Sequence, residues 1–257
     1  MLIALLTDFG TRDYFVGAMK GAILSVSENA KIIDITHDIA PQDIASASFT
    51  LRACYTDFPK KTIFVAVIDP GVGSARRAIL VETKDYYFVA PDNGLLSFVF
   101  DKAKTFRVFE LTNQRYFANN ISRTFHGRDI FAPVAAHLAN GVNSNELGTE
   151  ITDFIRLKEI SPRKISDKTI EGEIIHIDRF GNLITNFKTE NLPEKFYLET
   201  GGKKIEKLQT FFAQAKKSEI FMIFGSAGFL EIVTFRASAE NLLKINRGEK
   251  VFVTRLN

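Results

Sequence analysis

Thr62-Ile63-Phe64-Val65-Ala66-Val67-Ile68-Asp69-Pro70-Gly71 decides the fold of this chain. From Ile63 to Ile68 the run is unbroken and apolar, and it stops on an Asp-Pro-Gly turn. So short a run, apolar at every position, predicts a strand buried on both faces, as in a parallel sheet covered by helices. Leu2 to Thr7 repeats the pattern and ends on Asp8-Phe9-Gly10, and Lys31 to Ile35 is a shorter β-branched strand. Between them, Tyr14 to Ser27 carries apolar residues at helical spacing. Asp43 to Phe58 does the same, with Asp43 placed to cap its start and Pro59 just past its end. Ala78 to Thr83 and Tyr86 to Ala90 flank Lys84-Asp85 and predict a hairpin. A further helix is expected from Asp129 to Ala139, closed by Asn140-Gly141. This alternation predicts an α/β domain with a mostly parallel sheet over residues 1–156.

The pattern changes beyond Thr152. Residues 157–169 are polar, contain Pro162 and show no period, so they are expected to be a linker. Residues 170–257 then hold short strands: Glu173 to Ile177, Leu183 to Asn186, Lys195 to Leu198, Ile220 to Phe224, Leu230 to Thr234 and Lys250 to Thr254. Glycines punctuate them, and one helical piece, Ala239 to Lys244, interrupts them. Short strands with glycine turns predict a smaller all-β, barrel-like domain.

Composition narrows the function. Hydrophobic residues are 46% and charged residues 25% of 257, and the net charge is only +3 with both signs interleaved. No broad basic face for nucleic acid is expected. The apolar start, Met1 to Leu6, is too short for a signal or membrane-spanning helix and reads as the first strand. No membrane association is expected. The single cysteine, Cys54, excludes an internal disulfide and fits a reducing, cytoplasmic setting, where it reads as a small core residue. His37, His126, His137 and His176 show no zinc-ligand spacing, so neither metal nor cofactor is expected.

In an open α/β sheet, ligands sit beyond the carboxyl ends of the strands. Three polar clusters fall there: Thr7-Asp8-Phe9-Gly10, Asp69 to Ser74 with Arg76-Arg77, and Thr124 to Asp129 around His126. Each alone has a structural explanation as a cap or turn. Together they bring carboxylates, an arginine and a histidine to one sheet edge, as a site for a polar small molecule requires. The glycines near Asp69 lack the Gly-Lys-Ser/Thr ending of a phosphate loop. His37-Asp38 reads as a polar turn bordering the same edge.

In this order the motifs resemble the SAM hydroxide adenosyltransferases, relatives of the SAM-dependent fluorinase and chlorinase. The resemblance is carried by Thr7-Asp8-Phe9-Gly10, Ile35-Thr36-His37, Val67 to Gly73 with Arg76-Arg77, Pro91-Asp92-Asn93-Gly94, Phe125 to Asp129, Asp178 to Asn182 with Thr185-Asn186, and Gly225-Ser226 with Leu230-Glu231-Ile232. It implies hydrolysis of S-adenosylmethionine to adenosine and L-methionine by water attack at ribose C5′. It implies that Asp69, Arg76 and His126 activate the water. It implies that Asp8 holds the ribose hydroxyls, with Asn182, Ser226, Glu231 and Val233 around the adenine and methionine ends. It also implies a homotrimer, in which the barrel-like domain completes the site of a neighbouring subunit. Thr234 to Ser238 departs from the Asn- and Gly-containing form expected at that edge. Two alternatives stand beside this reading: halide attack at the same carbon, and a non-catalytic adenosine- or SAM-binding trimer.

Overall fold

Alternation of side chains along each strand sorts the first domain into three layers. In the computed structural model, which describes residues 1–158 and 160–256, the chain forms two compact units, 1–159 and 160–257. The first unit runs β1 (Leu2–Thr7), α1 (Phe15–Val26), β2 (Lys31–Thr36), α2 (Ile44–Cys54), β3 (Ile63–Val67), β4 (Ala78–Thr83) and β5 (Tyr87–Pro91). It continues with α3 (Ser97–Lys102), β6 (Phe106–Leu111), α4 (Ala132–Ala139), α5 (Ser144–Leu147) and β7 (Gly148–Ile151).

The seven-stranded sheet has the order β2-β1-β3-β5-β4-β6-β7. Strands β2, β1, β3 and β5 run parallel. The β4–β5 hairpin turns the sheet, and β4, β6 and β7 extend it antiparallel. Ile63, Val65 and Val67 face one way, against Met19 and Ile23 of α1 and Val134 and Leu138 of α4. Phe64, Ala66 and Ile68 face the other way, against Ala47 and Leu51 of α2 and Phe98 and Val99 of α3. The unbroken apolar run thus reports a strand with helices on both sides. Asp43 caps α2 by accepting the Ser46 amide, and the helix passes through a 3₁₀ turn, Tyr55–Asp57, before Pro59.

The helix expected from Asp129 begins two residues earlier, as a π-helical turn over Gly127–Phe131 that leads into α4. Its cause is local. Pro133 has no N–H to give to the Asp129 carbonyl, which instead accepts the Ala118 amide at 2.8 Å. Wide turns of this kind concentrate at functional sites.

The second unit holds β8 (Arg163–Lys164), β9 (Thr169–Ile177), β10 (Leu183–Lys188), β11 (Phe196–Thr200), β12 (Lys203–Ile205), β13 (Ile220–Phe224), β14 (Phe229–Thr234), α6 (Ala239–Leu243) and β15 (Lys250–Arg255). The stretch read as a linker therefore contains β8, which pairs with β9. Every named strand pairing in this unit is antiparallel, in the order β12-β11-β15-β9-β10-β14-β13. The segment after β12 then bonds to Met222 of β13, so the sheet curls towards closure. Leu230 and Ile232 point into its core with Phe187, Leu198 and Val251. Among the described residues, no helix is long and apolar enough to cross a membrane.

Candidate active site

The parallel strands place the site before any side chain is considered. From β1 the chain goes to β2 on one side and then to β3 on the other, so a crevice opens between the carboxyl ends of β1 and β3. Asp8 follows β1 and Asp69 follows β3. The loop before the π-turn brings His126 to the same place. Asp8, Asp69 and His126 line one cleft of about 420 Å³, with Phe9, Phe15 and Phe125 among its walls.

Arg76 sits behind this wall and joins two of its members. Its Nε donates to Asp69 Oδ1 at 2.8 Å, and its Nη2 donates to Asp69 Oδ2. The same Nη2 lies 2.7 Å from His126 Nδ1. The guanidinium stacks over Phe131, and the side chains of Asp69 and Arg76 are only 6% and 11% exposed. So dry a bidentate pair fixes both groups firmly. Because an arginine can only donate, Nδ1 of His126 must accept, and the neutral ring carries its proton on Nε2. Burial, then the Arg76 charge, holds the His126 pKa below its ordinary 6.5.

The loops are shaped for this meeting. Gly73 has φ +77°, and a β-carbon there would stand 2.2 Å from the Arg123 carbonyl oxygen, so only glycine lets the Asp69 loop touch the His126 loop. Gln42 is held at φ 67° and points its amide at Asp8 Oδ2, 2.8 Å away. The signal for Gln42 was absent from the sequence, since the contact is made by its main chain. Asn93 was seen only as part of a motif, and its Nδ2 holds the Ile68 carbonyl immediately before Asp69.

Other expected residues lie elsewhere. Arg77 turns away from Arg76 and binds Asp92 and Asp153. His37 is buried and is not part of the cleft wall. The Cys54 thiol is half-buried and pushed up to about 11, chiefly by burial and then by Asp57, so it stays protonated.

The second unit carries its own polar cluster. Asp178 accepts hydrogen bonds from the Phe180 and Asn182 amides and from Asn182 Nδ2 at 2.8–2.9 Å. Glu231 packs its carboxyl against Gly225, where a β-carbon would lie 1.6 Å from Oε1. Burial, then the nearby Asp178, pushes Glu231 up to about 7. Ser226 is exposed on the adjoining turn. Val233 shares the β14 face of Glu231 and is fully buried with Ala215, Phe221 and Ile223. Asp178 thus holds Asn182 in place and repels an ionised Glu231, a role that sequence order did not reveal.

Comparison with known proteins places this geometry among relatives. Residues 3–148 match the family model for the SAM hydroxide adenosyltransferase N-terminal domain, and residues 172–252 match that for its C-terminal domain. The chain is 38% identical to an (R)-S-adenosyl-L-methionine hydrolase of Methanocaldococcus jannaschii, over 95% of this chain and 92% of the relative. It is 33% identical to the protein of the same name from Thermus thermophilus, over 96% of both. A fluorinase from an Actinoplanes species is 29% identical over 74% of this chain and 73% of its own length. A crystal structure of an uncharacterized conserved protein from Thermotoga maritima superposes with a TM-score of 0.91 at 36% identity, over 98% of this chain and all of the other.

Proposed function

Because the chain belongs to the SAM hydroxide adenosyltransferase family, we propose that it hydrolyses S-adenosylmethionine to adenosine and L-methionine, with Asp69, Arg76 and His126 holding the attacking water. The observation that carries this is the joining of Asp69 and His126 through Arg76 at one cleft wall, opposite Asp8. The water oxygen bonds to C5′ as the C5′–S bond breaks. The sulfonium sulfur keeps the bonding pair and leaves as neutral methionine, and one proton is released. No acid is needed for the leaving group. Alignment of water and C5′ is the main task, and a well-held pair can gain roughly 7–11 kcal/mol in favourable cases.

The residues divide that task. The His126 ring, which lines the cleft, orients the water so that an oxygen lone pair faces C5′. Asp69 keeps acceptor lone pairs beyond its two Arg76 bonds and takes a water hydrogen. Arg76 positions both groups and stabilises negative charge developing on the oxygen. Asp8 accepts the ribose hydroxyls. Asn182, Ser226 and Glu231 contact the adenine and methionine ends, with Val233 on the same strand face as Glu231. The homotrimer is part of this proposal, with these barrel residues completing a neighbouring subunit's site. Cytoplasmic residence is also part of it, resting on the lone thiol. The named relatives support the (R) sulfonium epimer as the preferred substrate.

Incubation of the pure protein with each epimer, with and without chloride, tests the proposal by product analysis. Adenosine and methionine should form faster from the (R) epimer, with no chlorinated nucleoside. Binding of SAM without turnover, even over long incubation, would leave only a binding trimer.

A further inference from the structure

His37 is buried, 4% exposed, and takes no part in the chemistry above. Its ring spans two strands. Nδ1 lies 2.8 Å from the hydroxyl of Thr7, the last residue of β1, which is itself fully buried. Nε2 lies 3.1 Å from Asp34 Oδ1 on β2. Asp34 in turn binds Lys20 at 2.6 Å. Burial raises the Asp34 pKa, but hydrogen bonds from Lys20 and His37 outweigh it and hold the group below the usual carboxylate range. An ionised Asp34 keeps the ring proton on Nε2, so Nδ1 accepts the Thr7 hydroxyl proton. The Thr7 oxygen is then free to accept the Phe9 amide at 3.2 Å.

The main chain repeats the connection. The His37 carbonyl accepts the Gly10 amide at 2.8 Å, and five residues on, the Gln42 amide donates to Asp8. The β1–β2 register slips between Leu5 and Leu6, where the strand partners pass from Asp34 to Thr36. Such an irregularity re-aims the residues that follow it. The loop 7–10 is therefore stitched to the loop 36–42 on both sides of Asp8, and the histidine makes two of the stitches.

We propose that His37 is a positioning residue for Asp8: its ring, hydrogen-bonded to Thr7 through Nδ1 and set beside Asp34, fixes the turn that presents the Asp8 carboxylate to the ligand. The functional part rests on the ribose role of Asp8 proposed above. A histidine fits because its two nitrogens face opposite directions at a fixed separation. Asparagine can put an amide group where Nδ1 stands, glutamine reaches only the Nε2 position, and leucine supplies neither.

The test compares His37→Asn, His37→Gln, His37→Leu and Asp8→Ala in the full chain. Amide hydrogen exchange reads the turn without any ligand. Adenosine affinity and the split between KM and kcat read the site. His37→Leu and His37→Gln should speed exchange at Phe9, Gly10 and Gln42. They should weaken adenosine binding and raise the KM for SAM about tenfold, the worth of one lost hydrogen bond, with kcat within about twofold. His37→Asn should restore both readouts. If His37→Leu fails to fold, the Asn–Gln pair decides alone. Unchanged exchange in His37→Gln, or equal damage in His37→Asn and His37→Gln, overturns the positioning role. Unchanged adenosine affinity in Asp8→Ala removes the ribose reading alone, and the exchange data still judge His37.

Discussion

A guanidinium offers N–H donors in a fixed plane, and Arg76 uses that plane to grip Asp69 twice and His126 once. A lysine supplies the charge but not the fork. Arg76→Lys should therefore fail nearly as badly as Arg76→Ala. Both should lose about a hundredfold or more in kcat, with adenosine affinity changed less than about twofold; a near-normal kcat in Arg76→Lys would show that charge alone suffices. His126 gives a pH signature. Burial, and next the Arg76 charge, keeps the ring neutral at pH 7, and protonation would set an Nδ1–H against the guanidinium. Turnover should fall as pH drops below the ordinary histidine value of 6.5. In Arg76→Ala the residual limb should move to higher pH, because a positive neighbour is gone. Glu231 contributes in the opposite sense. Its folded pKa of about 7 lies above the ordinary glutamate value of 4.5, so its favourable share of stability is full below 4.5 and is lost as pH rises through 7. Glu231→Gln should then be more stable than the parent at pH 8, by on the order of 1 kcal/mol after discounting for partial exposure, and no better at pH 4. Thermal melts at the two pH values check this.

At the scale of elements, loops do the positioning and glycines let them touch. Gly73→Ala forces a left-handed residue and drives its β-carbon into the Arg123 carbonyl. The Asp69 and His126 loops must part, so stability should drop by about 2 kcal/mol and kcat should fall with it. A stable, fully active Gly73→Ala would mean that their contact is dispensable. The strands that carry the site were legible because they are short, apolar and followed by polar turns; β1, β3 and the β4–β5 hairpin fall within a residue or so of expectation. What escaped has physical reasons. Helix α3 is six residues long, with Ser97 to Phe100 all buried, so it shows no amphipathic period. The start of the π-turn at Gly127 is set by Pro133 and the Ala118 amide, a contact eleven residues back from Asp129 that no local pattern announces. Strand β6 alternates only in part and lies next to a charged stretch, so no clear period marks it in the sequence.

Across the whole molecule, one sheet edge gathers Asp8, Asp69 and His126 from positions 61 and 57 residues apart along the chain. The rule for strand ends brings these residues together from the sequence alone, and motif order adds their roles. The arrangement within the site is not written in the linear pattern. Arg76 and Arg77 are neighbours in sequence, yet one points to His126 and the other to Asp92 and Asp153. Val233 shares a strand face with Glu231, yet packing against Ala215, Phe221 and Ile223 leaves it fully buried. Direction within a loop and depth within a barrel depend on packing that a linear pattern does not encode. The central claim is that water, held at Asp69 and His126, attacks the ribose carbon. Mass spectrometry of the products formed in water labelled with heavy oxygen tests it most directly. The account predicts one heavy oxygen in the 5′-hydroxyl of adenosine and none in methionine, at a rate that collapses in Arg76→Ala. Adenosine without the label, or labelled adenosine formed equally fast by Arg76→Ala, would contradict it.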